Sequence, residues 1–247
     1  MASTHVTRSV SSTGNINTAT MSCWFKRANV GAEHFLFYSL ENSNNNCRIR
    51  ISTDDKLEVE GLQGGSSSYT IRTQRKFRDT SSFYHVVVAY DSTDGTASDR
   101  IKIYVNGIRE TELENINNPS SSVNMSFNEN GSTVYVGSQY NGNYFDGCIA
   151  HYHWVDGQAY LPSVFGQTNA TSGHWTPITS PSVTYGTNGF FLKFENSSDM
   201  DLDSSSNGHT FTTSGTLTQN IDTPTNVYCV CNALVLDSTN NRYTNGS

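Results

Sequence analysis

The chain has 247 residues, a formal net charge of -7, and only 15% charged residues. That acidity, with no basic run, speaks against phosphate-backbone binding, so no nucleic-acid partner is expected. No stretch approaches eighteen apolar residues and the opening "MASTHVTRSV" has no apolar core, so neither membrane insertion nor a secretory signal peptide is expected.

Ser, Thr, Asn and Gly dominate the rest, a composition that suits short strands joined by polar turns and disfavours helices. The first clear strand is "ATMSCWFKR" (Ala19–Arg27), with Met21, Cys23 and Phe25 on one face and Trp24 on the other. "HFLFYSL", "CRIRIS" and "KLEVEG" follow; Ile49 and Ile51 oppose Arg48 and Arg50, as in a half-buried strand. "IRTQRKFR", with Arg72, Arg75, Lys76 and Arg78, reads as a solvated strand edge guarded by charge. "FYHVVVAYD" is apolar on both faces, as in the middle of a sandwich. "DRIKIYVNG" alternates, and its Asn106-Gly107 predicts a tight hairpin turn. "STVYVGS", "FDGCIAHYHWVDG" and "GFFLKFEN" are further strands, and "LPSVFG" (Leu161–Gly166) predicts one short helical turn. Unbroken alternation in "GCIAHYHWV" would put Cys148, Ala150, Tyr152 and Trp154 on one face and Ile149, His151, His153 and Val155 on the other.

From Asp222 the texture changes. "DTPTN" reads as a linker, and residues 222–247 as an extended arm or the start of a further module, leaving 1–221 as the sandwich domain. The five cysteines are odd in number and lack a framework spacing, so reduced thiols are expected. The fold class is all-β.

The stretches "YHVVVAYD" and "RIKIYVNG", preceded by "MSCWFKR" and followed by "FDGCIA", resemble the laminin-G-like, concanavalin A-like lectin/glucanase superfamily. The resemblance runs from about Thr7 to Thr213. It implies a jelly-roll sandwich of two antiparallel sheets. "FDGCIAHYHWVDGQAYLPSVFG", "YGTNGFFLKFENSS", "DLDSSSNGHTFT" and "DTPTN" together resemble the version found in structural proteins of aquatic bacteriophages. That likeness implies a virion protein folded in the host cytoplasm, with other virion proteins as partners. It also implies a homo-oligomer, a trimer being the preferred form.

Glucanases of this superfamily carry two carboxylates in an E-x-D-x-E type pattern on one strand. This sequence has none. Glu58 and Glu60 in "KLEVEG" share a face without an Asp between them, and Glu112 and Glu114 are expected to be solvated. No enzyme is therefore expected, although a glycan hydrolase stays as a competing reading. His151 and His153 could offer two imidazoles to a metal, but a third ligand is missing and a sheet-lining role is preferred. "DMDLDSSSNGHT" clusters Asp199, Asp201, Asp203 and Asn207. In the superfamily such a segment and a Ca²⁺ at a sandwich edge go together, which makes Asp201, Asp203 and Asn207 candidate ligands. The competing reading, slightly preferred, is a turn whose carboxylates cap backbone amides.

Candidate carbohydrate-binding residues are Tyr140, Asn141, Asn143 and Tyr144 in "SQYNGNYFDG" and Trp175 in "TSGHWTP". Aromatic faces stack on sugar C–H surfaces while amides bind hydroxyls. Tyr144 and Trp175 read equally well as anchors that pin long loops. The expected function is non-catalytic: a tail fibre, receptor-binding or capsid-surface protein recognising host cell-surface glycan. The alternative is a purely structural head-decoration or tail-assembly protein.

Overall fold

The computed structural model describes residues 3–140 and 142–226. In chain order the strands are β1 (His5–Ser9), β2 (Thr18–Arg27), β3 (His34–Asn42), β4 (Asn45–Ile51), β5 (Lys56–Gln63), β6 (Ser66–Lys76), β7 (Tyr84–Asp91), β8 (Ile101–Val105), β9 (Ile108–Arg109) and β10 (Leu113–Asn117). They continue as β11 (Thr133–Val136), β12 (Gly147–Asp156), β13 (Gly166–Thr168), β14 (Trp175–Pro177), β15 (Phe190–Leu192) and β16 (Thr212–Ser214). Short 3₁₀ turns at Ala97–Asp99 and Pro162–Val164 are the only helical pieces among the described residues, and the second lies where a turn was expected.

An eight-stranded sheet runs β10-β6-β5-β4-β3-β11-β1-β16, and a six-stranded sheet runs β15-β12-β2-β7-β8-β9. Neighbours are antiparallel throughout, as the resemblance implied. A short β13-β14 pair stands apart. The hairpin turn between β8 and β9 is the predicted one. Asn106 and Gly107 have φ of 49° and 83°, angles that Asn and Gly tolerate best.

The main core lies between the sheets and follows the period-2 pattern of the strands. Met21, Cys23 and Phe25 of β2 meet Ile49 and Ile51 of β4, and Val86 and Val88 of β7. Trp154 stacks on Phe37 at 4.1 Å, and its Nε1 donates to Asn128 Oδ1 at 2.8 Å. Each such fully buried apolar side chain contributes about 1.5–3 kcal/mol. A second core covers the other face of the six-stranded sheet. There Val87, Ala89, Tyr104 and Val155 pack against Phe165, Tyr185 and Phe191. This explains why "VVVAY" is apolar on both faces.

Buried polar groups tie the loops to these layers. Asp156, at the end of β12, accepts from the Asn15 amide (2.8 Å), Asn128 Nδ2 (3.0 Å) and the Asn188 amide (2.9 Å). Burial nevertheless raises its pKa. Arg27 is buried and donates to Asp55 Oδ1 at 2.8 Å and to the Phe77 carbonyl at 2.8 Å.

Three expectations are corrected. β6 is not an edge: β10 pairs with it, so Arg72 lies among Asp54, Glu58 and Glu114 instead of guarding an open strand. Glu114 is likewise not simply solvated, because both its oxygens accept from Lys56 Nζ at 2.7 Å. The alternation of β12 is also broken. A register shift between Ala150 and His153, with His151 at a φ of 45°, places Ile149 with Tyr152 and Trp154 on the core side. A β-bulge of this kind inserts one extra residue and reverses the facing of every later residue in the strand.

Of the five cysteines, Cys23 and Cys47 are buried free thiols and Cys148 is a half-buried one, whereas Cys229 and Cys231 lie outside the described residues. Burial raises the Cys47 pKa to about 11. The arm proposed for 222–247 also lies almost wholly outside them. At its described beginning Asp222 pairs with Lys26 of β2, and Thr223 and Asn226 close a local turn through backbone bonds of 3.2 and 3.0 Å.

Candidate functional site

The loop between β11 and β12 carries most of the residues proposed for carbohydrate. Gln139 and Gly142 exchange backbone hydrogen bonds of 3.0 and 2.8 Å, which puts Tyr140 at the tip of a tight turn. Tyr140 sits there with φ of 44° and 53% exposure. Such turns favour Asn or Gly, since a left-handed backbone costs other residues roughly 1–2 kcal/mol. A tyrosine at this position is a local misfit. Asn141 lies outside the described residues.

Beneath the tip is an aromatic base on the outer face of the eight-stranded sheet. Tyr140 meets Tyr135 edge-on at 6.1 Å, Tyr135 lies 6.0 Å from Tyr38, and Tyr38 lies 5.9 Å from Phe35. Phe35, Tyr38 and Tyr135 form a buried cluster separate from the main core. Burial raises the Tyr38 phenol pKa, and Arg48 and Gln139 oppose the shift. His5 continues the series, 6.2 Å from Tyr135 and 5.6 Å from Tyr144.

Polar groups edge the platform. The exposed Asn143 donates from Nδ2 to Glu33 Oε2 at 2.6 Å and to Gln139 Oε1 at 3.0 Å. Arg50 donates to Glu33 Oε1 at 2.6 Å and also holds Glu58, while its guanidinium lies 5.8 Å from the Phe35 ring centre. Arg48 donates to Glu60 Oε2 at 2.7 Å. Beyond Tyr144 the platform opens into a cleft of about 670 Å³, lined among others by His5, Tyr144, Phe145, His151, Lys193 and Glu195. That volume falls in the range of small-ligand sites.

The remaining sequence candidates lie elsewhere. Trp175 is on the opposite side of the sandwich, half-buried over the six-stranded sheet. Its Nε1 donates to His85 Nδ1 at 2.9 Å, and its ring fills the space beside Gly107 and Gly166. A Cβ on Gly166 would lie 2.5 Å from that ring. Trp175 therefore has the geometry of an anchor, and the fold does not bring it to Tyr140, Asn143 and Tyr144. Glu58 and Glu60 share a face as expected, but each bonds an arginine, so they do not form an acid and a base facing an open site.

The histidines of β12 are separated by environment. His153 is buried, stacked 3.8 Å from Phe191 and 2.9 Å from the Tyr185 hydroxyl, while His151 occupies the bulge. Burial lowers both pKa values. The Asp/Asn cluster has the geometry of a capped turn centred on Asp203, both of whose oxygens accept from backbone amides. Asp203 Oδ1 accepts from the amides of Phe191 (2.9 Å) and Ser205 (2.9 Å), and Oδ2 from the His209 amide (2.8 Å). Asp201 Oδ2 accepts from the Thr213 hydroxyl at 2.6 Å, and Asn207 Nδ2 donates to the carbonyls of Gly186 and Gly189. Among the described residues no group of three or more His, Cys, Asp or Glu is placed to hold a metal, and no helix is long and apolar enough to cross a membrane.

Sequence reasoning missed Glu33, Arg50, Tyr38 and Tyr135. The available signal was the strand alternation, which places Tyr38 opposite Arg48 and so on the face away from the core.

No curated protein is detectably similar in sequence. Among solved structures, the heptameric SAP-like pentraxin from Limulus polyphemus aligns with a TM-score of 0.44 at 17% identity, over 64% of this chain and 71% of that one. Domains LG4-5 of the mouse laminin alpha1 chain align with a TM-score of 0.42 at 12% identity, over 74% and 50%. The CBM40 of the Ruminococcus gnavus IT-sialidase, bound to alpha2,3 sialyllactose, aligns with a TM-score of 0.37 at 14% identity, over 59% and 86%. The model of the concanavalin A-like lectin/glucanases superfamily matches residues 2–159, more than half of the sequence. The chain belongs to that superfamily.

Proposed function

We propose that this protein is a non-catalytic glycan-binding component of a bacteriophage virion, on a tail fibre or the capsid surface, and that Tyr140 is the centre of its site. The observation that carries the reading is the exposed tyrosine held at the tip of a turn whose backbone disfavours it. Its ring meets a buried aromatic base edge-on at Tyr135, a contact that reduces the side-chain freedom lost on binding. Asn143, Gln139 and Glu33 offer hydroxyl partners beside it. The phage assignment is supported by the resemblance of the segments from Phe145 to Asn226. The reading uses no metal.

A single site of this kind needs only about 0.1–1 mM affinity, about -4 to -5.5 kcal/mol. Repetition in an oligomer, a trimer in this proposal, would make that useful through avidity. The test is binding of an oligomerised form to host cells and to a glycan panel, beside a Tyr140→Ala variant. Binding that vanishes in the folded variant supports the reading. A folded oligomer that binds neither cells nor glycans leaves the structural-protein reading in its place.

A further inference from the structure

We infer that the Tyr140 platform selects neutral, hydroxyl-rich glycans and discriminates against glycans ending in a carboxylate sugar. This rests on the glycan-binding reading above and adds the class of ligand. An anionic sugar is held most strongly by a cation whose charge is not already committed. The cations bordering the platform are Arg48 and Arg50 of β4, and both are committed. Arg48 bonds Glu60, while Arg50 is held between Glu33 and Glu58. Glu58 also lies 3.9 Å from Arg72, which sits between Asp54 and Glu114 with Lys56 on Glu114; the whole network sets five carboxylates against four cations, and the local balance stays negative. In the adjoining cleft Lys193 lies 3.2 Å from Glu195, and burial lowers the His151 pKa, which favours its uncharged form.

The polar atoms nearest Tyr140 are also of the wrong kind for an anion. Glu33 is a pure acceptor; Asn143 spends both its N–H groups on Glu33 and Gln139 and keeps its carbonyl as an acceptor, and only the Gln139 amide nitrogen adds donors at the rim. These pair with sugar hydroxyls, which both donate and accept. A ligand carboxylate there would face Glu33 across the rim, and like-charge juxtaposition is disfavoured. Arg50 donates to the same Glu33 carboxylate and fixes its direction.

The experiment measures binding of the oligomeric protein to matched pairs of oligosaccharides, lactose-terminated and the same glycan capped with sialic acid, at low and high salt. The expected result is binding of the neutral member, with the capped member weaker by at least about tenfold and the gap narrowing as salt rises. Glu33→Gln leaves Arg50 with one carboxylate fewer, and the capped member should recover a severalfold share of its binding. Equal or tighter binding of the capped glycan that is lost in Tyr140→Asn would overturn the class of ligand while leaving the site standing. A capped glycan whose deficit is unchanged by both salt and Glu33→Gln would show exclusion by shape, and overturn the electrostatic argument. No binding of either member by folded oligomer would overturn the site itself, and this inference with it.

Discussion

Replacing Tyr140 by Asn separates function from stability. Asn tolerates the left-handed backbone at this turn position far better than Tyr, which removes most of a cost of roughly 1–2 kcal/mol. Against this, the variant loses the edge contact with Tyr135, about 0.5–1.5 kcal/mol. The two terms oppose and are similar in size, so unfolding free energy should change by less than about 1 kcal/mol. For a domain of this length that is a shift of at most about 4 °C in Tm. Glycan binding behaves differently, because an exposed aromatic anchor is worth about 2 kcal/mol or more, roughly thirtyfold in affinity. Urea unfolding and glycan binding measured on the same preparation decide the matter. A variant destabilised by about 3 kcal/mol would show that Tyr140 is a structural residue. A stable variant with undiminished binding would remove it from the site.

Trp175→Ala should lower stability by about 2–4 kcal/mol, because it empties the space against Gly107 and Gly166 and orphans His85 Nδ1; a fully stable variant that has lost glycan binding would reverse the assignment. His85 is held to a pKa of about 3 by burial, and burial holds His153 well down too, so both are neutral in the fold. Unfolding restores values near 6.5, and stability should therefore be complete above that pH. It should fall by up to roughly 1.4 kcal/mol per pH unit for His85 as pH drops from about 6.5 toward 3, with His153 adding loss in the same direction; urea midpoints that stay level between pH 6 and 4.5 would contradict this. Melting temperatures in chelator and in millimolar calcium should coincide, whereas Asp203→Asn should lower Tm, because Asp203 caps three backbone amides; a Tm that climbs with calcium would restore the metal site. No reducing sugar should be released from β-glucans, and release abolished by Glu58→Gln or Glu60→Gln would establish a hydrolase.

Local chemistry made much of the fold readable. Period-2 alternation places Met21, Cys23, Phe25, Ile49 and Ile51 in the core, and Asn106-Gly107 sets its own hairpin, because both depend on residues adjacent in the chain. The second apolar face of "VVVAY" was visible in the same way, but not the layer that covers it. The covering residues, Phe165 and Tyr185, lie more than seventy positions downstream. The phase change in β12 was hidden as well, since a bulge is decided by which residues the partner strand presents. Of the proposed site, the sequence showed Tyr140, Asn143 and Tyr144 as an aromatic and amide cluster within one loop. Tertiary structure alone moved Trp175 to the other side of the sandwich, set Tyr140 on Tyr135, and brought Glu33 and Arg50 beside Asn143. Side chains far apart in sequence meet only through strand order and register, and those are settled by which faces the whole sandwich can bury together.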